Sequence, residues 1–406
     1  MLGASYRDVL RDREFRALLV ADGLSTAGDQ VARIAVALLV LERSGSAFAA
    51  SATYACSYLT WLVGGPFLSA FADHYPRRRL MVVCDLLRMA LIGLLAVPGT
   101  PMWTVFAVLV LVGLLAPPFD AARSSLLADV LTGERYVVGN ALMNAMSQGA
   151  QLVGFLGGGV LVTALDVEGA LLADAVTFAL SAALLVARVA DRSHGRPPGR
   201  SSTSRAAEAA AGVRLLRRTP RLRLLLGWGL LSAAAVIAPE GLAVAIAEQD
   251  GRGAMAAGLL TASVPAGFLV GSWLVLRLAP DRRERLFPVM VVASCLPLLL
   301  TAVVQDVGVL MALWVLAGVG NAMQLVANAS FVQEVPAHLR GRAFGVAVTL
   351  LMAVQGALLL VAGALAEVAG PRVPVAVLAG LALLMVPVLV AATSSADRAA
   401  QLVEPA

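Results

Sequence analysis

Three ionisable residues, Asp22, Asp29 and Arg33, interrupt an otherwise apolar run near the start of the chain. On a helix, Asp29 and Arg33 are one turn apart on the same face and Asp22 lies two turns earlier, so all three line one stripe. A charge at mid-bilayer costs roughly 2.5 to 3.5 kcal/mol even on lenient insertion scales, so each of them needs a reason. Two reasons are open. Asp29 and Arg33 form a buried ion pair that holds helices together, or Asp29 takes up a proton when Arg33 turns to another partner. Glu240, following Pro239 in a second apolar run, has no charged neighbour within a turn and either faces a cavity or titrates. Asp29, Glu240, Asp22 and Arg33 are the expected proton-coupling set, with Asp22 as a second proton- or cation-binding carboxylate. Asp174 is expected towards the outer surface in a structural role, and Asp120, just after Pro117 and Pro118, at an inner helix end.

Uncharged polar residues form stripes of their own. Asn140, Asn144, Gln148 and Gln151 follow at helical spacing, as do Asn321, Gln324 and Asn328, and Gln355 stands alone in a later span. Interhelical hydrogen bonding and cavity lining are both open for them. The expected substrate cavity comprises Asn144, Gln148, Gln151, Trp228, Asn321, Gln324 and Gln355, with Trp61, Phe119, Phe268 and Trp273 available as apolar wall. Gly154, Gly157, Gly158 and Gly159 put small residues where helices approach closely, so tight packing is the expected use. The three histidines, His74, His194 and His338, fall in loops, and Cys56, Cys84 and Cys295 are far apart without metal-ligand spacing. Hydrolytic chemistry, a zinc site, a disulfide framework and a phosphate cradle all lack their residues, so no cofactor and no enzyme activity are expected.

The elements that position these side chains follow from composition. Of 406 residues, 59% are hydrophobic and 14% charged, far below the ~25% charge of a soluble domain. The surrounding solvent is therefore lipid, and windows of ~20 residues place spans near 16–41, 47–70, 80–98, 102–123, 138–165, 169–189, 222–247, 254–278, 286–304, 307–330, 343–366 and 373–392. The expected fold is an all-α membrane protein of twelve transmembrane helices.

All 31 basic residues are arginines, and they alternate by loop. Arg77–Arg79, Arg123, Arg135, Arg282, Arg283, Arg285, Arg340 and Arg342 mark one side, and Arg43, Arg252 and Arg372 the other. By the positive-inside rule the first side is cytoplasmic, with both termini on it. Placement between spans also argues against nucleic acid as the partner of the formal +5 charge. Arg7, Arg11, Arg13 and Arg16 precede the first span with no small-residue cleavage site, which reads as an anchored end. Residues 188–223 carry ten arginines with Pro197, Pro198 and the polar run Ser201–Ser204, a solvated linker in which Ala206–Arg218 is expected to lie as an amphipathic helix on the inner leaflet. Shifting the chain by 205 positions superposes Arg13 on Arg218, Arg77 on Arg282, Asp129 on Glu334, Arg135 on Arg340 and Gly158 on Gly363. The expected organisation is an N-terminal six-helix bundle at 1–190, a cytoplasmic linker at 191–220 and a C-terminal six-helix bundle at 221–406, two parallel repeats.

The loop Ser69-Ala-Phe-Ala-Asp73-His-Tyr-Pro-Arg77-Arg78-Arg79 resembles the signature Gly-x-Leu-Ala-Asp-Arg-x-Gly-Arg-Arg/Lys of the major facilitator superfamily. Asp73, Arg77 and Arg78 match, and Ser69, His74 and Pro76 depart from it. Phe15-Arg16-Ala17-Leu18-Leu19, Gly28-Asp29, Asp85-Leu-Leu-Arg88, Asp174-Ala-Val-Thr177-Phe178, the glycine run and Arg340-Gly-Arg342 are similar in order and spacing to the macrolide-efflux and enterobactin-exporter branch. The resemblance implies rocker-switch alternating access, with Asp73, Arg77, Arg78, Asp85, Arg88, Asp120 and Arg123 at a cytoplasmic gate. Together these readings lead to the expectation of a proton-coupled antiporter, working as a monomer in the bacterial inner membrane. Its cargo would be hydrophobic or amphipathic small molecules, making it a multidrug-efflux type of pump. An importer or facilitator of a small metabolite would need a more polar cavity, and a non-transporting receptor would need no proton-binding carboxylate.

Overall fold

The computed structural model describes residues 6–68, 71–192, 205–279, 283–336 and 339–401; the side chains of 66, 67, 72, 73, 205–209 and 396–401 lie outside the description. Among the described residues every regular element is helical. The spanning helices are α1 (Arg13–Ser44), α2 (Ala47–Val63), α3 (Arg77–Leu95), α4 (Met102–Val130), α5 (134–165), α6 (167–188), α7 (Pro220–Gln249), α8 (Gly253–Leu276), α9 (Phe287–Leu299), α10 (Val307–Glu334), α11 (Arg340–Ala369) and α12 (Val373–Gln401). α5 and α6 run on from one another, separated by the single non-helical residue Asp166, whose φ is 60° and ψ −179°. α2 and α9 are shorter than the other crossings and α3 is more charged, yet all three take their places in the bundle.

Local chemistry sets the helix ends. The Asp12 carboxylate accepts from the Glu14 and Phe15 amides to start α1, Ser46 accepts from Ala49 to start α2, and Asp306 accepts from Val309 to start α10. Pro220 opens α7 at the one position where a missing N–H costs nothing. Gly45 ends α1 with a φ of 65°, in the left-handed region that favours glycine.

α1 packs against the α5–α6 hairpin, which also covers α3, while α7 packs against α8, α11 and α12. Contact between the first six helices and the last six runs through α2 with α11, α5 with α8, and α2 with α7. The polar and glycine-mediated contacts that join them lie towards the arginine-poor end. Ser46 Oγ and the Phe48 amide donate to Glu367 at 2.6 and 2.8 Å, and Ser51 Oγ donates to the Leu359 carbonyl at 2.8 Å. A Cβ on Gly258 would stand 2.8 Å from the Gly159 Cα, so α5 and α8 meet backbone to backbone.

At the arginine-rich end the ion pairs seen among the described residues stay within one group of helices. Arg77 pairs with Asp129 and donates to the Ser125 carbonyl, Arg78 donates to the Val189 carbonyl, and Arg221 reaches Glu284 and Glu334. The chain is thus sealed at its arginine-poor end. The helix Arg205–Arg218 packs on the start of α11, where Gly212 lies against the Arg342 carbonyl and Val346 and Leu216 is buried. The segment expected to be an amphipathic helix is a helix, and its Gly212–Leu216 side docks on protein. Pro197, Pro198, Ser201–Ser204, His194, His338 and Arg282 lie outside the described residues.

Candidate transport site

Mid-helix on α1, Asp29 opens onto a cavity of about 80 Å³ lined by α1, α2, α3 and α4. Its polar lining is Asp29, Arg33, Thr53, Ser57 and Arg88, and Trp61, Ile92 and Leu109 complete the wall. A space of this size and polarity suits a few water molecules. Asp29 has no hydrogen-bond or ion-pair partner among the described residues.

Arg33 does not pair with Asp29. Its Nη1 donates to Glu240 Oε1 at 3.2 Å, and the Tyr58 hydroxyl donates to Glu240 Oε2 at 2.9 Å. The guanidinium also stands 5.7 Å from the centroid of the Tyr58 ring. This triad joins α1 and α2 to α7 across the two groups of helices. The expected Asp29–Arg33 pair is therefore corrected: one turn of helix brings the two within reach, but a carboxylate 207 residues away takes the guanidinium. Glu240, with no charged neighbour on its own helix, acquires one from α1.

Asp22 is buried and accepts from Arg123 Nη1 with both oxygens at 2.8 Å, and Arg123 also reaches Asp120 at 3.3 Å. The structure thus gives Asp22 a firm α1–α4 tie rather than the open position a cation-binding carboxylate needs. Asp85 and Arg88 do not sit at a cytoplasmic gate. α3 begins at Arg77, so at 1.5 Å per residue Arg88 is about 16 Å along it, in the membrane interior. Arg88 is buried between the Phe119 and Phe178 rings at 5.1 and 5.7 Å, and Asp85 accepts from Ser181 Oγ at 2.6 Å. Asp174, expected near the outer surface, is 1% exposed. The side chain of Asp73 lies outside the described residues.

Of the expected cavity residues, Trp228 is buried, donates to Thr393 Oγ1 at 3.3 Å and leans on Phe287, so it packs α7 against α12 and α9. Asn321 is likewise buried and accepts from Ser232 at 2.8 Å, an interhelical bond rather than cavity lining. Asn144 is exposed, and Gln148, Gln151, Gln324 and Gln355 are half-buried on α5, α10 and α11. Gly154 faces Ala27 and Gln30, and Gly158 faces Val31 and Ile34, both on α1. Gly157 needs correction, since a Cβ there would meet only Val31 at an ordinary 3.9 Å. Gly159 is the member of this run that meets the other group of helices, at α8. Tyr58, Ser46 and Glu367 are not singled out by the sequence reading; a tyrosine among the polar residues Ser57, Thr60 and Trp61 and an acid at the end of an apolar run are the available signals.

A bundle of twelve apolar helices, with a charged triad across its middle and a seal at one end, defines a membrane transporter. The profile of the Major Facilitator Superfamily matches residues 18–354, and the chain belongs to that family. It is 28% identical over 374 residues, 87% of each chain, to the multidrug efflux pump Tap of Mycobacterium tuberculosis. Over 190 residues it is 27% identical to the lysophospholipid transporter LplT of Pectobacterium carotovorum, so the chain spans under half the length of that relative, 46%. Among solved structures, a bacterial homologue of the human lysosomal transporter Spinster, in an inward-facing and occupied conformation, aligns with a TM-score of 0.70 at 14% identity, covering 97% of this chain and 98% of that one. A POT family transporter in complex with a thioalcohol-conjugated peptide aligns at 0.74 and 12% identity, covering 94% and 96%. These structural likenesses speak to the fold. The protein is a multi-pass membrane protein of a transporter family rather than of an enzyme family.

Proposed function

We propose that the protein is a proton-coupled antiporter that exports hydrophobic or amphipathic small molecules across the bacterial inner membrane. In this reading the bundles 1–190 and 221–406 rock about the 191–220 linker, with the arginine-rich face in the cytoplasm. The observation that carries the reading is the position of Arg33. It is held by Glu240 of the other bundle and stands one turn from the unpartnered Asp29, which faces a polar cavity. Which carboxylate carries a proton decides which one holds Arg33. Protonating Glu240 releases the guanidinium to Asp29 and unties the bundles, and protonating Asp29 returns it to Glu240 and ties them. Two states biased in opposite directions by proton and cargo are what coupled alternating access requires. The substrate class follows from likeness to a multidrug efflux pump and a lysophospholipid transporter.

The test is ethidium accumulation in pump-deficient bacterial cells expressing the wild type, Asp29→Asn or Glu240→Gln, with and without a protonophore. Lower accumulation with wild type, abolished by the protonophore and by either substitution, is the expected result. Export that persists in Asp29→Asn at the wild-type rate overturns the coupling role, and higher accumulation with wild type reverses the direction.

A further inference from the structure

Away from Asp29, at the arginine-rich end, a cavity of about 240 Å³ lies between the end of α10 and the first turns of α11. Both helices reach it with the i, i+1, i+4 spacing that puts three side chains on one side of a helix. Phe331, Val332 and Val335 come from the end of α10, and Arg340, Gly341 and Phe344 from α11. Phe331 and Val335 are buried, whereas Val332 and Phe344 are exposed, so the space has a floor inside the bundle and an open rim. Apart from Arg340 the lining offers no polar side-chain atom. A cavity walled in this way stays dry or takes up apolar matter. At 240 Å³ it falls below the ~300 Å³ at which pockets for whole drug-sized molecules begin, so it holds one chain with the rest of the molecule outside.

Arg340 sets the charge of the site. Its Nε donates to the Val335 carbonyl at 3.1 Å, which ties the guanidinium across to the α10 side of the cavity. Its two terminal nitrogens have no hydrogen-bond or ion-pair partner among the described residues. Glu334, the acid at the end of α10, is taken by Arg221. A guanidinium held through Nε with both Nη groups open is preset for an anion with two oxygens side by side, such as a phosphate or carboxylate. Depth fits the same kind of ligand. α10 ends at Glu334 and α11 begins at Arg340, so the cavity lies where the apolar spans give way to charged residues, the level at which basic pockets between helices meet lipid head groups.

We propose that this cavity is a binding site for a single-chain anionic amphiphile drawn from the adjoining leaflet. The chain fills the space between Phe331 and Phe344, and the anionic head pairs with Arg340. An apolar slot with a cation at its lip is satisfied by a molecule that carries both parts: a neutral chain leaves the cation unpaired, and a free anion leaves the slot empty. The site does not depend on the coupling assigned to Asp29 and Glu240.

Photolabelling of the full chain in phosphatidylcholine vesicles tests it. The probe is hexadecyl phosphate with a diazirine in its alkyl chain, and labelled positions are read by mass spectrometry. Label on Phe331, Val332 or Phe344 that unlabelled hexadecyl phosphate displaces is the expected result. Arg340→Gln should weaken the phosphate probe roughly 10-fold or more, as the loss of a charge-assisted hydrogen bond does, and leave the weaker labelling by the matching diazirine hexadecanol unchanged. Gly341→Leu adds a side chain where an ideal Cβ meets nothing within 4 Å, so the chain should fold as before while the slot is blocked to both probes. Equal labelling by phosphate and alcohol, indifference to Arg340→Gln, or undiminished labelling in Gly341→Leu overturns the site. Displacement by inorganic phosphate alone would make it a phosphate site, and preference for a diazirine phosphatidylcholine would make it a contact with bulk two-chain lipid; either result also overturns the proposal.

Discussion

Removing the charge of Glu240 should open the arginine-poor end of the protein. The pair with Arg33 is 3.2 Å long, with side chains 26% and 18% exposed. Two unit charges at that separation attract by about 5 kcal/mol at an effective dielectric of about 20. Desolvation takes back most of this, leaving the roughly 1.5 to 3 kcal/mol of a charge-assisted hydrogen bond. Glu240→Gln keeps an acceptor for the Tyr58 hydroxyl, so the expected loss is near the low end, about 1.5 to 2 kcal/mol, or about 10- to 30-fold in the ratio of sealed to open molecules. The assay is the rate at which a membrane-impermeant maleimide labels Thr53→Cys from outside intact cells, in a chain whose Cys56, Cys84 and Cys295 are replaced by serine. Thr53 is buried in the sealed structure, so labelling reports the open fraction when opening is fast. Glu240→Gln should raise the rate 10- to 30-fold, Tyr58→Phe less, and Arg33→Gln combined with Glu240→Gln far less than the product of the singles. Rates unchanged in Glu240→Gln, or strictly multiplicative in the double variant, would refute the pairing as the tie between the bundles.

Glu367 provides a pH test at the same end. The Ser46 hydroxyl and Phe48 amide hold its carboxyl below the usual carboxylate range, so the latch is intact above that range and is lost only as external pH falls through the depressed value. Maleimide labelling of Thr53→Cys should stay flat as the medium passes through the ordinary glutamate range and rise below it, and Glu367→Ala should abolish the inflection. Substitution along the glycine run should separate two behaviours: Gly157→Ala should change melting temperature and ethidium efflux little, whereas Gly159→Val should prevent the α5–α8 contact and abolish efflux, as growth on ethidium plates would show. Asp22→Asn should lower thermal stability in detergent by about 1 to 3 kcal/mol, because Arg123 loses its doubly bonded partner but keeps Asp120. Thermal unfolding beside Asp120→Asn, expected to cost less, ranks the two.

The crossings were legible because a bilayer demands ~20 apolar residues whatever the tertiary contacts. Even α3, with Arg77–Arg79, Asp85 and Arg88, keeps enough apolar residues to be placed from sequence. What sequence could not show was helix rotation and partnership. Asp29 and Arg33 are neighbours by spacing, yet the partner of Arg33 comes from α7, and only packing decides that. The family resemblance implies a gate role for Asp85 and Arg88, whereas counting turns from Arg77 places them deep in the bundle. Asp174 was read as shallow because the span was started at 169, whereas α6 begins directly after Asp166 and the acid lies about 12 Å along it. Trp228 and Asn321 carry groups suited to a cavity, and the helices they pack on, α12 and α9 for Trp228 and α7 for Asn321, could not be known in advance.

The junction at Asp166 has a mechanical consequence. One residue leaves no slack between α5 and α6, so the two arms behave as a stiff bell-crank turning about that corner. Gly159 lies seven residues before the pivot and Asp174 eight after it, roughly 10 and 12 Å away. Arms of nearly equal length transmit displacement almost one for one. Any parting of Gly159 from α8 therefore drags the acid along α1 by a comparable distance, and any shift of the acid strains the seal. A looser corner, made by inserting two or three glycines after Asp166, would leave both ends intact and let them move out of step.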